Sequence, residues 1–447
     1  MTDSFIQGLM TICPEKIPTD VYQQARMSFL DYLACTVAGA KFFSQKDSNY
    51  INSVDEDTGV TIIGFNRKAS MQTAALINGM NSHVMELDDG HRKGAVHVGG
   101  TIFSALLPVA EKEKISMHDF LYGAIIGYET TIRLACAVQP GNKLRGYHAT
   151  GTCGTIGATM AIAAALHFDF DQMKSAFSAA VTSAAGVLEM QEDNADLKPL
   201  NVGRAAMDAV SAAYLGKARF QPPKDALGGK RGFLAVMTDK PKTESLTDFS
   251  EGELCIQSIY NKPYASCRHT HSAIESAMKI RSQNNFRLEK LESICVRTYK
   301  LAVAGHDHTQ VDGISSAKMS MPYSVAVALI TGRAGLNEFS QEMVSNKDIL
   351  SLASKIQVVE DNELTSLCPQ CRAAIVEVKT KSGFFSARTD YPKGEPENPL
   401  TDDEFKQKVD GLLSFAKKES ICDKLWSLKN QDDVKIKDLL NLIREDS

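Results

Sequence analysis

From about residue 19 to residue 255 the chain repeats one kind of text: apolar residues at three-to-four spacing on segments rich in Ala and Gly. "PTDVYQQARMSFLDYLACTVAGA" opens on Pro18 and Thr19 and sets Val21, Ala25, Phe29, Leu30, Leu33 and Val37 along one stripe. "SMQTAALINGMNSHVMEL" does the same behind Ser70, a candidate cap, with Ala74, Leu76 and Ile77 apolar. "MHDFLYGAIIGYETTIRLACAV", "GTIGATMAIAAALHF" and "DQMKSAFSAAVTSAAGVLEM" continue the series. A helical period held over segments this long specifies helices, and small residues let their axes approach closely. The pattern predicts a buried multi-helix bundle in which only "GVTIIGF" reads as a strand.

The texture changes near residue 256. "ESICVRTY" and "SKIQVVED" are short, rich in β-branched residues and bounded by turn formers, as strands are. "AAIVEVKTKSGFFSARTDYPKGEPENP" reads as a hairpin turning at Ser382-Gly383, and the helical pieces "HSAIESAMKIRSQ" and "MPYSVAVALITG" lie between the strands. After Pro399 the text returns to amphipathic helix in "TDDEFKQKVDGLLSFAKK". A chain of 447 residues exceeds what one core usually organises, so two domains are expected. The reading is a mainly α fold: a helical domain from residues 1–258 and 398–447, and a smaller α+β domain from 259–397.

Bulk properties remove several function classes. Net charge is −5, from 49 basic and 54 acidic residues, with no basic run to track a phosphate backbone, so nucleic acid is not an expected partner. No apolar run reaches the roughly 20 residues a membrane span requires, and no membrane partner is expected. The first residues, "MTDSFIQGLMTICPEK", lack the basic and apolar regions of a secretory leader. Ten scattered cysteines, several in apolar context, suit a reducing compartment, and a cytoplasmic location is expected. "CPQC", Cys368 to Cys371, has metal or redox spacing but stands without a second pair, and reads as two ordinary thiols near a turn.

One stretch breaks the apolar pattern. "MELDDGHRKGAVHVGG", residues 85–100, collects three carboxylates and two imidazoles. On a helix running out near Gly90, His83, Glu86 and Asp89 share a face while Asp88 points away, and His91 and His97 follow on a loop. A solvated helix end is the plain alternative. Elsewhere "RGYHATGTCGTIGA" places Tyr147 and His148 before a helix start, and "LKPLNVGRAA" places Lys198 before another. "YNKPYASCRHTHSAIESA" brings Lys262, Arg268, His269 and His271 to a third. Cations at helix N-termini favour bound carboxylate or phosphate. The pairs His269/His271 and His306/His308 raise zinc as a rival, without a third close ligand in a recognised pattern, and no metal is expected.

"ELDDGHRKGAVHVGG", "GYHATGTCGTIGA", "LKPLNVGRAA", "LGGKRGF", "KPYASCRHTHSAIESA" and "AKMSMPYSVAVALITG" resemble, in this order, the landmark segments of the MmgE/PrpD family. The resemblance runs from about Ile17 to the closing helices. That family includes 2-methylcitrate dehydratase, cis-aconitate decarboxylase and iminodisuccinate epimerase. The resemblance implies an all-helical domain built from both chain ends, a smaller α+β lid, a homodimer, and catalysis without metal or organic cofactor. It implies catalytic roles for His97, His148, Lys198, Lys262, His269 and Tyr323, and substrate binding by Glu86, Asp89, His91, Tyr147, Cys267, Arg268, His271 and Lys318. Many relatives read Thr where this chain has Gly90, and Pro where it has Val98, which bears on substrate identity.

Elimination of water, loss of carbon dioxide and epimerisation beside a carboxylate all need a proton moved at carbon while cations hold the charge that develops. His97 and His148 suit the first task; Lys198, Lys262 and Arg268 suit the second. The expected activity is a cofactor-independent lyase acting on a small di- or tricarboxylate, dehydratase-like, with decarboxylase or epimerase as alternatives. A zinc hydrolase and a non-catalytic carboxylate-binding protein are the rivals from other classes.

Overall fold

A computed structural model describes residues 1–54, 57–191, 195–249, 252–283, 291–381, 383–431 and 434–444. The chain divides into two compact units. The first comprises Met1–Met190, Leu197–Ile259 and Lys406–Ser447. Its helices are α1 (Thr2–Met10), α2 (Thr19–Val54), α3 (Met71–Val84), α4 (Gly99–Glu113), α5 (Met117–Val138), the single turn α6 (Gly141–Leu144), α7 (Ala149–Ala165), α8 (Phe170–Ser183) and α9 (Leu200–Lys217). Strands β1 (Val60–Thr61) and β2 (Lys68–Ala69) make a two-stranded ribbon at the "GVTIIGF" stretch.

Every residue of α7 is buried, so this helix is the axis of the unit, with α4, α5, α8 and α9 packed around it. Its sequence shows no polar face because it has no solvent face. The caps follow the residue chemistry. Ser70 accepts from Thr73 N–H at the start of α3, Ser116 does so from Asp119 N–H at α5, and Asp169 with Gln172 forms a reciprocal box at α8. Small residues set the helix spacing: a Cβ on Gly79 of α3 would lie 2.6 Å from Gly203 Cα of α9, so a side chain there would force the helices apart. Phe29, Phe103, Phe120 and Tyr128 stack across α2, α4 and α5, with Phe29 and Phe120 centroids 4.7 Å apart.

Two helices end earlier than their apolar text suggests. α8 stops at Ser183 instead of running to Met190, and the chain turns at Gly186 with φ 127°. α3 stops at Val84, six residues before Gly90. The C-terminal part of the unit contributes Val409, Leu412 and Leu413 from the helix Asp402–Phe415 to the core, and the amphipathic helix Ile436–Arg444 packs on α4.

The second unit, Gln191–Asp196 with Tyr260–Phe405, holds a four-stranded sheet of order β4-β3-β5-β6. The strands are β3 (Leu291–Thr298), β4 (Ile356–Glu360), β5 (Ala374–Thr380) and β6 (Gly383–Thr389). β3 runs parallel to β4, with Ile294 opposite Ile356, and antiparallel to β5, with Val296 opposite Val376. Alternate residues of β5 are buried, and the helix His271–Arg281 packs on β5 and β6, itself backed by Met321–Thr331. β5 and β6 form the expected hairpin; Ser382, assigned to its turn, lies outside the described residues. The fold is mainly α with a smaller α+β part. Among the described residues no helix is long and apolar enough to cross a membrane.

Candidate active site

The early end of α3 builds the centre of the first unit. Glu86, two residues past the helix, takes φ 56°, the left-handed conformation usually filled by Gly after a helix. For a residue with a Cβ this is strained by about 1–2 kcal/mol. The Glu86 carboxylate is tied to the Lys198 ammonium just before α9, both largely withdrawn from solvent. The turn also exchanges the expected roles of the two aspartates that follow.

Asp88, expected to face away, faces inward: its Oδ2 lies 2.8 Å from His83 Nδ1 and 3.1 Å from His97 Nδ1. Asp89, expected among the imidazoles, turns back. It accepts hydrogen bonds from Gly99 N–H at 2.8 Å and Val98 N–H at 3.3 Å, capping α4, and from the Tyr128 hydroxyl at 2.5 Å. A Cβ on Gly99 would meet the Tyr128 hydroxyl oxygen at 2.6 Å, so the bare backbone there is what admits the cap. Burial pushes the Asp89 carboxyl up to about 7, against the opposing pull of Tyr128 and Gly99. The helical-face assignment fails because the chain is no longer helical at residues 86–89.

Two imidazoles meet at Asp88, and a third, His148, lies beside them. Ring centroids lie 4.6 Å apart for His83 and His97, 6.3 Å for His83 and His148, and 6.4 Å for His97 and His148. His97 Nδ1 also lies 2.9 Å from the Asp89 carbonyl oxygen, so it faces two acceptors and must carry the hydrogen. At His83 the Asp88 carboxylate makes the same demand on Nδ1, and His83 Nε2, buried without a hydrogen-bond partner, lies 3.7 Å from Glu86 Oε1. Thr150 ties the third ring to this loop: its hydroxyl accepts from the His97 backbone N–H at 3.1 Å and lies 3.2 Å from His148 Nε2. His148 Nδ1 is likewise buried without a partner. Burial first, then Lys198, His83 and His97, hold His148 well below the ordinary imidazole value, and it rests uncharged.

The remaining assigned residues make other contacts, and in the second unit His269 and His306 meet with ring centroids 5.0 Å apart. His91 pairs with Val96 in a tight loop and accepts from Gly94 N–H at 3.1 Å, a bond internal to the loop. Tyr147 is half-buried, bridging Val187 one residue before His148. In the second unit Lys262 is fully buried. Arg268 is saturated by Glu395 at 2.9 Å, the Lys393 carbonyl, His271 Nδ1 and the Tyr260 ring face, which makes it a buried structural cation instead of a free substrate anchor. His271 Nε2 lies 3.1 Å from the Ser266 carbonyl. His269 meets the Tyr299 hydroxyl at 2.5 Å, and Cys267 Sγ lies 3.2 Å from His306 Nε2. Lys318 is buried, its carbonyl accepting from Cys267 N–H. Tyr323 is a core residue whose hydroxyl donates to the Glu338 carbonyl at 2.8 Å. No geometry here gives it a proton to move.

Residues 5–246 match the MmgE/PrpD N-terminal domain and residues 264–428 the MmgE/PrpD C-terminal domain. The chain belongs to the MmgE/PrpD family. It is 27% identical to the cis-aconitate decarboxylase-like protein oryM of Aspergillus oryzae, over 99% of each chain. It is 25% identical to the cis-aconitate decarboxylase of Aspergillus terreus strain NIH 2624, over 92% of this chain and 88% of the relative. A probable 2-methylcitrate dehydratase of Saccharomyces cerevisiae is 30% identical over 101 residues, 22% of this chain.

In this MmgE/PrpD chain neither His-x-His pair converges: His269 turns to Tyr299 and His271 to Ser266, while His306 turns to Cys267 and His308 to the Ser316 carbonyl. The group among the described residues with metal-ligating spacing is His83, Asp88 and His97, whose donor atoms lie within 4.8 Å of one another, and there both Nδ1 atoms already engage the carboxylate. The sequence pattern does not single out Thr150 or Tyr299, names His306 only as a possible zinc ligand, and turns Asp88 away from His83; a helix ended at Val84 is what brings that aspartate, five residues on, to the His83 ring.

Proposed function

We propose that this enzyme is a lyase that transfers a proton at carbon beside a carboxylate of a small di- or tricarboxylate, with decarboxylation of an aconitate-like tricarboxylate as the favoured reaction. The observation that carries the reading is the single Asp88 oxygen shared by His83 and His97, which orients both imidazoles beside an uncharged His148. When a carboxylate leaves as carbon dioxide, the electron pair it leaves behind spreads into a neighbouring unsaturated carboxylate, and the carbon must then be reprotonated. A neutral base and an imidazolium balanced by a carboxylate can divide that work. Lys198 at the start of α9 supplies positive charge for the remaining carboxylates, with the α7 and α9 N-termini adding to it. No metal or organic cofactor enters the scheme.

Dehydration of a hydroxylated tricarboxylate is the second reading, favoured by the partial match to a probable 2-methylcitrate dehydratase. It uses the same proton in the opposite direction. Incubation with cis-aconitate, citrate, methylcitrate and iminodisuccinate in deuterium oxide, followed by NMR, separates them. Decarboxylation gives carbon-bound deuterium with release of carbon dioxide, and dehydration gives a new alkene with none. Absence of turnover and of labelling across the panel would overturn the proposal.

A further inference from the structure

The strongest unassigned feature lies behind the imidazoles. Lys408, on the helix Asp402–Phe415, sends its ammonium 2.6 Å from Asp31 Oδ1 of α2 and 2.6 Å from the carbonyl oxygen of Leu87. Both charged side chains are almost inaccessible, at 5% and 2%. Leu87 immediately precedes Asp88, in the stretch that has left the helix and has no helical ladder to hold its carbonyl. Asp31 also presses electrostatically on Asp89 and Tyr128, the pair that caps α4. Asp31, Asp88 and Asp89 thus form a concentration of acid at one turn, and Lys408 is the cation that reaches it from the C-terminal segment.

We propose that Lys408 is a positioning residue for proton transfer: by gripping the Leu87 carbonyl and neutralising Asp31 it holds Asp88 where both Nδ1–H groups can reach it. It acts through the Leu87 carbonyl and the Asp31 carboxylate. Its effect on rate rests on the function proposed above; its effect on the imidazoles does not. Without the grip the Leu87–Asp88 peptide is free to rotate, and hydrogen bonds of 2.8 and 3.1 Å do not survive a displacement of an ångström.

The test uses full-length Lys408→Met and, because that change strands a buried aspartate, the double variant Asp31→Asn/Lys408→Met, which removes both charges together. The direct readout is the pair of downfield Nδ1–H proton resonances of His83 and His97. Both should shift or broaden in the folded double variant, and kcat should fall by roughly tenfold or more with KM changed far less. Resonances unmoved in the folded double variant would overturn the proposal, whatever the rate. Altered resonances in a protein whose wild-type form turns over none of the carboxylates would support Lys408 while sinking the proposed reaction. If Lys408→Met alone unfolds, the double variant carries the decision.

Discussion

Replacing Asp88 by Asn is the perturbation that tests the site most directly. The wild-type carboxylate accepts from two imidazole Nδ1–H groups at one oxygen, at 2.8 and 3.1 Å. An asparagine of nearly the same shape has one accepting oxygen and an amide that only donates, and it carries no charge. Because both rings address one oxygen, the amide oxygen placed there keeps two bonds, each now uncharged, and any imidazolium formed in turnover loses its balancing carboxylate. Hydrogen bonds to charged groups contribute about 1.5–3 kcal/mol each, and neutral ones about 1 kcal/mol. Weakening both from charged to neutral gives about 1–4 kcal/mol of barrier, or a kcat lowered by roughly 5- to 10³-fold. The assay is the steady-state rate on whichever panel carboxylate turns over, with the melting temperature recorded alongside. Asp89→Asn is the control, because the Asp89 side chain caps α4 and meets Tyr128, while it is the backbone carbonyl, unchanged by the substitution, that meets His97. It should move the melting temperature more than the rate. An Asp88→Asn enzyme within threefold of wild type, or an Asp89→Asn enzyme that is the slower of the two, would refute the division of labour.

His148→Gln should lower kcat by at least roughly 100-fold with little change in melting temperature, and a mutant that unfolds would return His148 to a structural role. Lys198→Met should raise KM more than it lowers kcat; a loss confined to kcat would contradict a charge-binding role for the ammonium. Stability against pH should show two opposed slopes. Asp89 titrates near 7 when folded and near 3.8 when unfolded, so between these values the folded state holds the extra proton and this group's contribution falls as pH rises, by at most about 1.4 kcal/mol per unit. His148, depressed by burial, gives the reverse: its contribution is present above about 6.5 and is lost as pH falls below it. Denaturant titrations from pH 5 to 8 should therefore show that Asp89→Asn flattens the alkaline loss and His148→Gln the acid loss. Removal of residues 400–447 should leave a badly destabilised core by thermal melt, since it takes out Val409, Leu412 and Leu413.

Helix positions were readable because a buried bundle repeats its period over many turns: α5 runs from Met117 to Val138, as its apolar text does. Ends were less readable where backbone conformation overrides propensity. Nothing in "HVMELDDG" marks Glu86 as the residue to enter the left-handed region, a place chemistry usually gives to Gly, and that one dihedral decides which aspartate faces the imidazoles. His148 and Lys198 were legible as polar residues placed before small-residue helices. Lys408 was not, because a lysine in a charged amphipathic segment reads as solvent-facing until its long-range partners are known. Arg268 shows the converse, a cation that resembles a ligand anchor until Glu395, 127 residues later, is seen to occupy it.

The order in which the chain is made gives the Asp31–Lys408 contact a further meaning. All three imidazoles, and every carboxylate around them, have been synthesised by residue 148, yet the ammonium that holds the Leu87 peptide arrives only at residue 408. At ribosomal rates of about 5–20 residues per second, that interval is on the order of tens of seconds. Through it the nascent chain carries its proton-handling groups without the grip that aligns them. Competence of the centre thus becomes an event late in translation, set by a lysine and not by the histidines themselves.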